Sequence, residues 1–123
     1  MKQREMIFRA WNEKEKQMSK PFMFSDIGDD RIRKVWSSPR LSFSISDCIV
    51  NQFVGLFDKR GKKIFDGDIV EFDNTIMECK WLQSECMFVF YQKAWKETHE
   101  VNTENCKECK VIGNVFEHHI IIQ

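Results

Sequence analysis

The chain has 123 residues, with 19 Lys and Arg against 19 Asp and Glu, so no net charge draws it toward nucleic acid or an anionic membrane. Its length suits one hydrophobic core in a single domain spanning residues 1–123, and eleven Phe, four Trp and one Tyr must fill a core, an interface or a binding groove. The charge balance hides an asymmetry: residues 1–63 carry 14 basic against 8 acidic groups, and residues 64–123 carry 5 against 11. Pairing of the two halves within one fold is the simpler expectation, and pairing between subunits is the alternative.

The N-terminus, Met1-Lys2-Gln3-Arg4-Glu5, runs into a charged, alternating segment without the uninterrupted apolar stretch of a signal peptide or membrane helix, which predicts a cytosolic protein. Residues 4–11 alternate with period two, Met6, Phe8 and Ala10 against Glu5, Ile7, Arg9 and Trp11, and predict a strand. Asn12 to Gln17 reads as a turn leading to Met18 and Phe22-Met23-Phe24, the second arm of a hairpin. Ser25 to Ser38 has loop composition followed by a short alternating piece ending at Val35-Trp36, and is expected to be a flexible excursion closed by Pro39. Leu41, Phe43 and Ile45 then alternate with Ser42, Ser44 and Ser46 as a one-sided strand does, and Cys48 to Phe57 is a further extended run.

The clearest turn chemistry lies between Gly55 and Val70. Asp58 to Gly61 places a carboxylate that can accept local backbone N–H groups ahead of a glycine, which predicts a β-hairpin tip. Asp66-Gly67 is a second turn signal, with a strand expected from about Asp68 through Ile69-Val70-Glu71-Phe72. Asp73-Asn74 makes another turn, and residues 68–73, 76–82 and 86–91 read as a meander. In it Met77, Cys79 and Trp81 share a side, and Cys86 to Tyr91, apolar on both sides, is a central strand. Gln92 to Lys110 is polar and poorly periodic, so the pattern does not choose between a helical turn and an extended loop. Val111 to Phe116 is a final strand interrupted by Gly113-Asn114, as at a bulge, before the β-branched Ile120-Ile121-Ile122.

Five Cys is an odd number, and Cys48, Cys79 and Cys86 sit in strand-like apolar runs, so buried reduced thiols are favoured over a disulfide framework. Cys106-Lys107-Glu108-Cys109 has the spacing of half a zinc site that His118 or His119 would complete, but with no second such pair a loop with two unpaired thiols is favoured. A redox reading lacks the thioredoxin-like context and is weaker still. Asp66 and Asp68 with Glu71 or Asp73 could be imagined as a nuclease metal cluster, yet turn chemistry explains Asp66 better. His99 stands alone in a polar segment and reads as a surface residue. Lys59, Arg60, Lys62 and Lys63 surround the hairpin tip beside Phe57 and Phe65, where cations could meet phosphate while a ring stacks on a base; a solvated turn is the simpler reading.

Three separated segments fit one pattern: Phe8-Arg9-Ala10-Trp11-Asn12 with Met18, Gly55 to Val70 with Asp58, Gly61, Ile64 and Gly67-Asp68-Ile69-Val70, and Ile112-Gly113-Asn114-Val115-Phe116-Glu117. In residues, order and spacing the chain resembles the YopX family of phage and prophage proteins. That resemblance implies a mainly β fold of coiled antiparallel sheets containing an SH3-like barrel. It implies no catalytic residues, and the chain departs from the usual pattern at Glu117-His118-His119-Ile120. The resulting expectation is a cytoplasmic accessory interaction module of a bacterial host's phage or prophage, not an enzyme, with no cofactor or metal. Its partner is a protein or a second copy, with nucleic acid at Lys59, Arg60, Lys62 and Lys63 as the alternative.

Overall fold

The computed structural model describes residues 6–38 and 40–118. Residues Met1 to Glu5, Pro39 and the apolar tail with His119 lie outside the described residues. The chain is mainly β and antiparallel, with short strands and one short helix. It divides into two compact units, Met1–Phe53 and Val54–Gln123. Among the described residues no helix is long and apolar enough to cross a membrane.

In the first unit β1 (Phe8–Asn12) pairs with β2 (Gln17–Met18) through Trp11↔Met18, and on its other edge with the start of β6 (Ile49–Phe57) through Phe8↔Gln52 and Trp11↔Ile49. All five residues of β1 are buried, so its polar positions must be satisfied from within. Arg9 Nε donates to Asn51 Oδ1 at 3.2 Å, and the Asn12 Oδ1 accepts from the Glu15 N–H at 2.8 Å.

A separate three-stranded sheet is formed by β3 (Ile27–Gly28), β4 (Arg31–Arg33) and β5 (Ser42–Ser44). This corrects the expected excursion over Ser25 to Ser38, which instead supplies Ile32 and Trp36 to the core formed with Phe8, Ala10 and Phe22. Trp36 Nε1 donates to the Ile32 carbonyl at 2.8 Å, and its ring meets Phe43 edge-on at 4.6 Å. The loop composition was that of the connection itself: Asp29 and Asp30, at φ 52° and 58°, form the two-residue turn joining β3 to β4.

In the second unit β7 (Lys63–Phe65) lies beside β6, and the expected meander is present as β8 (Asp68–Phe72), β9 (Thr75–Leu82) and β10 (Met87–Gln92). β11 (Glu97–Glu100) adds to β10, and β12 (Lys110–Asn114) returns beside β8, giving the sheet order β11-β10-β9-β8-β12. Asp73 and Asn74, at φ 49° and 61°, make the tight β8–β9 turn. Val89 and Phe90 point to opposite faces of β10 and both are buried, as expected of a central strand. Trp81 lies beyond the core at the end of β9, 43 % exposed, edge-on to Phe88 at 5.1 Å.

The undecided stretch before β12 holds both β11 and a helix, α1 (Thr103–Glu108), whose N-cap Asn102 accepts from the Asn105 N–H at 2.8 Å. Ile64, Val70, Met77, Cys79, Phe90, Cys106, Cys109 and Val111 form the second unit's core. The register of β12 against β8 shifts between Val111 and Gly113, the bulge expected near Gly113-Asn114.

Candidate functional site

The hairpin tip between β6 and β7 is fastened down by one carboxylate. Asp58 is buried; its Oδ1 accepts from the N–H groups of Arg60 and Lys62, both at 2.8 Å, and its Oδ2 accepts from the Val111 N–H at 2.9 Å. Burial pushes this carboxyl upward, but the three N–H groups and the Arg60 charge outweigh it and hold Asp58 below the usual aspartate value. The local half of this arrangement, an Asp accepting from its own turn, is what the turn pattern predicts. The bond to Val111, 53 residues away, has no local signal.

Two more bonds tie the tip to the strand that follows α1. The Lys59 N–H donates to the Cys109 carbonyl at 2.9 Å, and Arg60 Nη2 donates to the Val111 carbonyl at 3.3 Å. Gly61, at φ 81°, completes the turn with open space where a side chain would be. The tip is thus a rigidly mounted loop and not a free finger.

On that mount Lys59, Arg60 and Lys62 are exposed and Lys63 is half-buried. The Lys63 ammonium lies 5.4 Å from the centroid of the Phe57 ring, which is 46 % exposed. Phe65, paired with Phe57 in the expectation of a stacking ring, is buried and belongs to the interior. One aromatic side chain therefore accompanies the basic tip, and Arg60 is partly committed to Val111.

The structure separates the remaining candidate residues. Asp68 is buried and accepts from the Phe65 N–H at 2.7 Å, closing the turn at Asp66-Gly67, while Glu71 is exposed and Asp73 sits in the next turn. Cys106, in α1, and Cys109, in the connection just after it, are buried with Cys79 in the core, whereas His118 Nδ1 accepts from the Asn114 N–H at 3.2 Å. Among the described residues no group of three or more His, Cys, Asp or Glu is placed to hold a metal ion. Cys86, expected to be buried, is exposed in the β9–β10 connection at φ 51°. Cys48 is half-buried, and burial pushes its thiol above the ordinary value. His99 lies on β11, with its ring 6.4 Å from Phe72 and its Nε2 3.9 Å from Glu97 Oε2.

Comparison with known proteins bears on the fold. No curated protein matches the chain. Among solved structures, protein EF1440 from Enterococcus faecalis is similar at 22 % identity and a TM-score of 0.64, with 98 % of this chain and all of that one covered. Protein yopX from Bacillus subtilis is similar at 18 % identity and a TM-score of 0.54, again with 98 % of this chain and all of that one covered. At these identities the likeness concerns the fold alone. The sequence model of the family described as YopX protein matches residues 7–121, so the chain belongs to the YopX family.

Proposed function

We propose that the protein is a small, non-catalytic, cytoplasmic interaction module, an accessory protein of a phage or prophage, that associates with a second copy of itself. The observation that carries this reading is β11. All four of its residues are exposed, and among the described residues its sheet neighbour is β10 alone. An edge strand of this kind offers outward backbone groups to an incoming segment, although here the Glu100 carbonyl already accepts from Asn105 Nδ2 at 2.7 Å.

The side chains say which segment suits it. Glu97 and Glu100 would face like charges in a β11-to-β11 pairing, which is destabilising, so the edge favours a basic partner segment. The chain carries one in its own Lys59, Arg60, Lys62 and Lys63, presented by Asp58 on a fixed loop. Tip-to-edge contact between copies uses both surfaces and makes association salt-sensitive.

A second reading rests on Phe57. An exposed ring beside lysines is also the pairing that meets a single-stranded nucleic acid, by stacking and by phosphate contact, on an SH3-like barrel. Size exclusion with light scattering separates the two. A nucleic-acid-free oligomer whose mass falls toward the monomer in about 1 M salt supports self-association, since screening is then nearly complete. A peak carrying nucleic acid that the same salt strips away supports the second reading, and a salt-independent monomer refutes both.

A further inference from the structure

The segment that holds the basic tip also holds a pair of thiols. Cys106 lies in the last turn of α1 and Cys109 follows its end. Cys109 Sγ is 3.3 Å from the Cys106 carbonyl, to which it donates, and both residues are buried in the second unit's core. The carbonyl of Cys109 accepts the Lys59 N–H, and two residues on, Val111 receives Arg60 and donates to Asp58. Three of the bonds that mount the tip therefore fall within three residues of the second thiol.

We propose that Cys106 and Cys109 are a modification site, a dithiol that a hydroperoxide oxidises to a disulfide, and that the bond formed changes how the basic tip is held. The reaction balances with hydrogen peroxide as oxidant. One thiolate attacks a peroxide oxygen, the O–O bond breaks, and hydroxide leaves to become water, giving a sulfenic acid. The second thiol attacks that sulfur, the S–S bond forms, and a second water leaves; the pair loses two hydrogens and the peroxide is reduced.

The Cys109 thiol sits 3.3 Å from the Cys106 carbonyl in the same buried cluster, so whichever sulfur is oxidised first has the other three residues away to resolve it. Access comes from α1 itself. It has six residues, below the length at which a helix is stable on its own, and its Thr103, Glu104, Lys107 and Glu108 are exposed, so local opening uncovers the pair without global unfolding. This proposal concerns how the tip is mounted and stands whichever partner the tip meets.

The test uses the full chain carrying Cys48→Ser and Cys86→Ser, which removes the half-buried and exposed thiols. After treatment with hydrogen peroxide, trypsin cuts at Lys107, between the two cysteines, so their peptides stay joined only if the disulfide has formed. The expected result is a Cys106–Cys109 link lost on reduction, with amide exchange at Lys59 and Val111 changed at least about tenfold by oxidation. Separate peptides from protein that remains folded in peroxide, a Cys79–Cys106 link, or a correct link with unchanged exchange at both amides would each overturn the proposal. Adding Cys109→Ser abolishes both the link and the exchange response if the assignment is right.

Discussion

Replacing Asp58 by Ala leaves three N–H donors without their acceptor, those of Arg60, Lys62 and Val111. The Val111 donor is buried, and its bond to a charged acceptor is worth roughly 1.5–3 kcal/mol. The two tip donors are partly buried, so water replaces the carboxylate in part and about 0.5–1 kcal/mol is lost at each. Removing a buried carboxylate also removes its desolvation cost, which offsets part of the loss and leaves a net destabilisation of about 3 kcal/mol. In urea unfolding followed by tryptophan fluorescence, this moves the midpoint down by roughly 1–2 M.

The pH dependence of that difference has a definite sign. The folded-state pKa of Asp58 is depressed, so its contribution is fully present above the unfolded value of about 3.9 and is lost as pH falls through the lower folded value. The two proteins therefore differ by the same amount from neutral pH down to about pH 5 and converge in stronger acid. A loss below about 1 kcal/mol at pH 7, or a difference that grows on acidification, would refute the role given to Asp58.

Gly67→Ala places a Cβ 2.8 Å from the Phe116 ring at φ 91°, and should cost at least about 2 kcal/mol in the same assay. Glu78→Gln should act in the opposite direction. Burial raises the Glu78 carboxyl above its ordinary value, so the native state favours the protonated form and its contribution fades as pH rises through the folded pKa; the Gln variant should unfold later than the parent at pH 7, with the gain shrinking as pH falls through the raised folded pKa and gone below the unfolded value of about 4. Trp36→Phe keeps the edge contact with Phe43 but removes the bond to the Ile32 carbonyl, and thermal unfolding should show a loss of about 1–2 kcal/mol.

Turn chemistry was the most legible part of the chain, because turns are written in adjacent residues. Asp58 to Gly61, Asp66-Gly67 and Asp73-Asn74 all lie where their types place them, and the meander between them follows from period-two alternation. The small sheet β3-β4-β5 was not legible, since strands of two or three residues are too short to show a period, and the Asp29-Asp30 turn dominates the local composition. α1 escaped for the same reason: its six residues, Thr-Glu-Asn-Cys-Lys-Glu, do not complete two helical turns.

At the candidate site the four cations were evident in the sequence, but their mounting was not. It depends on bonds from Asp58, Lys59 and Arg60 to Cys109 and Val111, residues distant in the chain that only the return of β12 beside β8 brings near. The burial of Cys106 and Cys109 follows from the same return. Read without it, a polar segment around two thiols looks like a loop.

The most direct test of tip-to-edge association is a charge swap read by light scattering. One variant carries Lys62→Glu and Lys63→Glu, which cancels the remaining Lys59 and Arg60 charges and leaves a neutral tip with an acidic edge; the other carries Glu97→Lys and Glu100→Lys, giving a basic tip and a basic edge. Tip-to-edge pairing predicts that each variant alone is monomeric at low salt and that the mixture regains the mass of a complex, because the basic tip of the second meets the acidic edge of the first. Variants that still associate alone, or a mixture that stays monomeric while the unmodified protein does not, would contradict it.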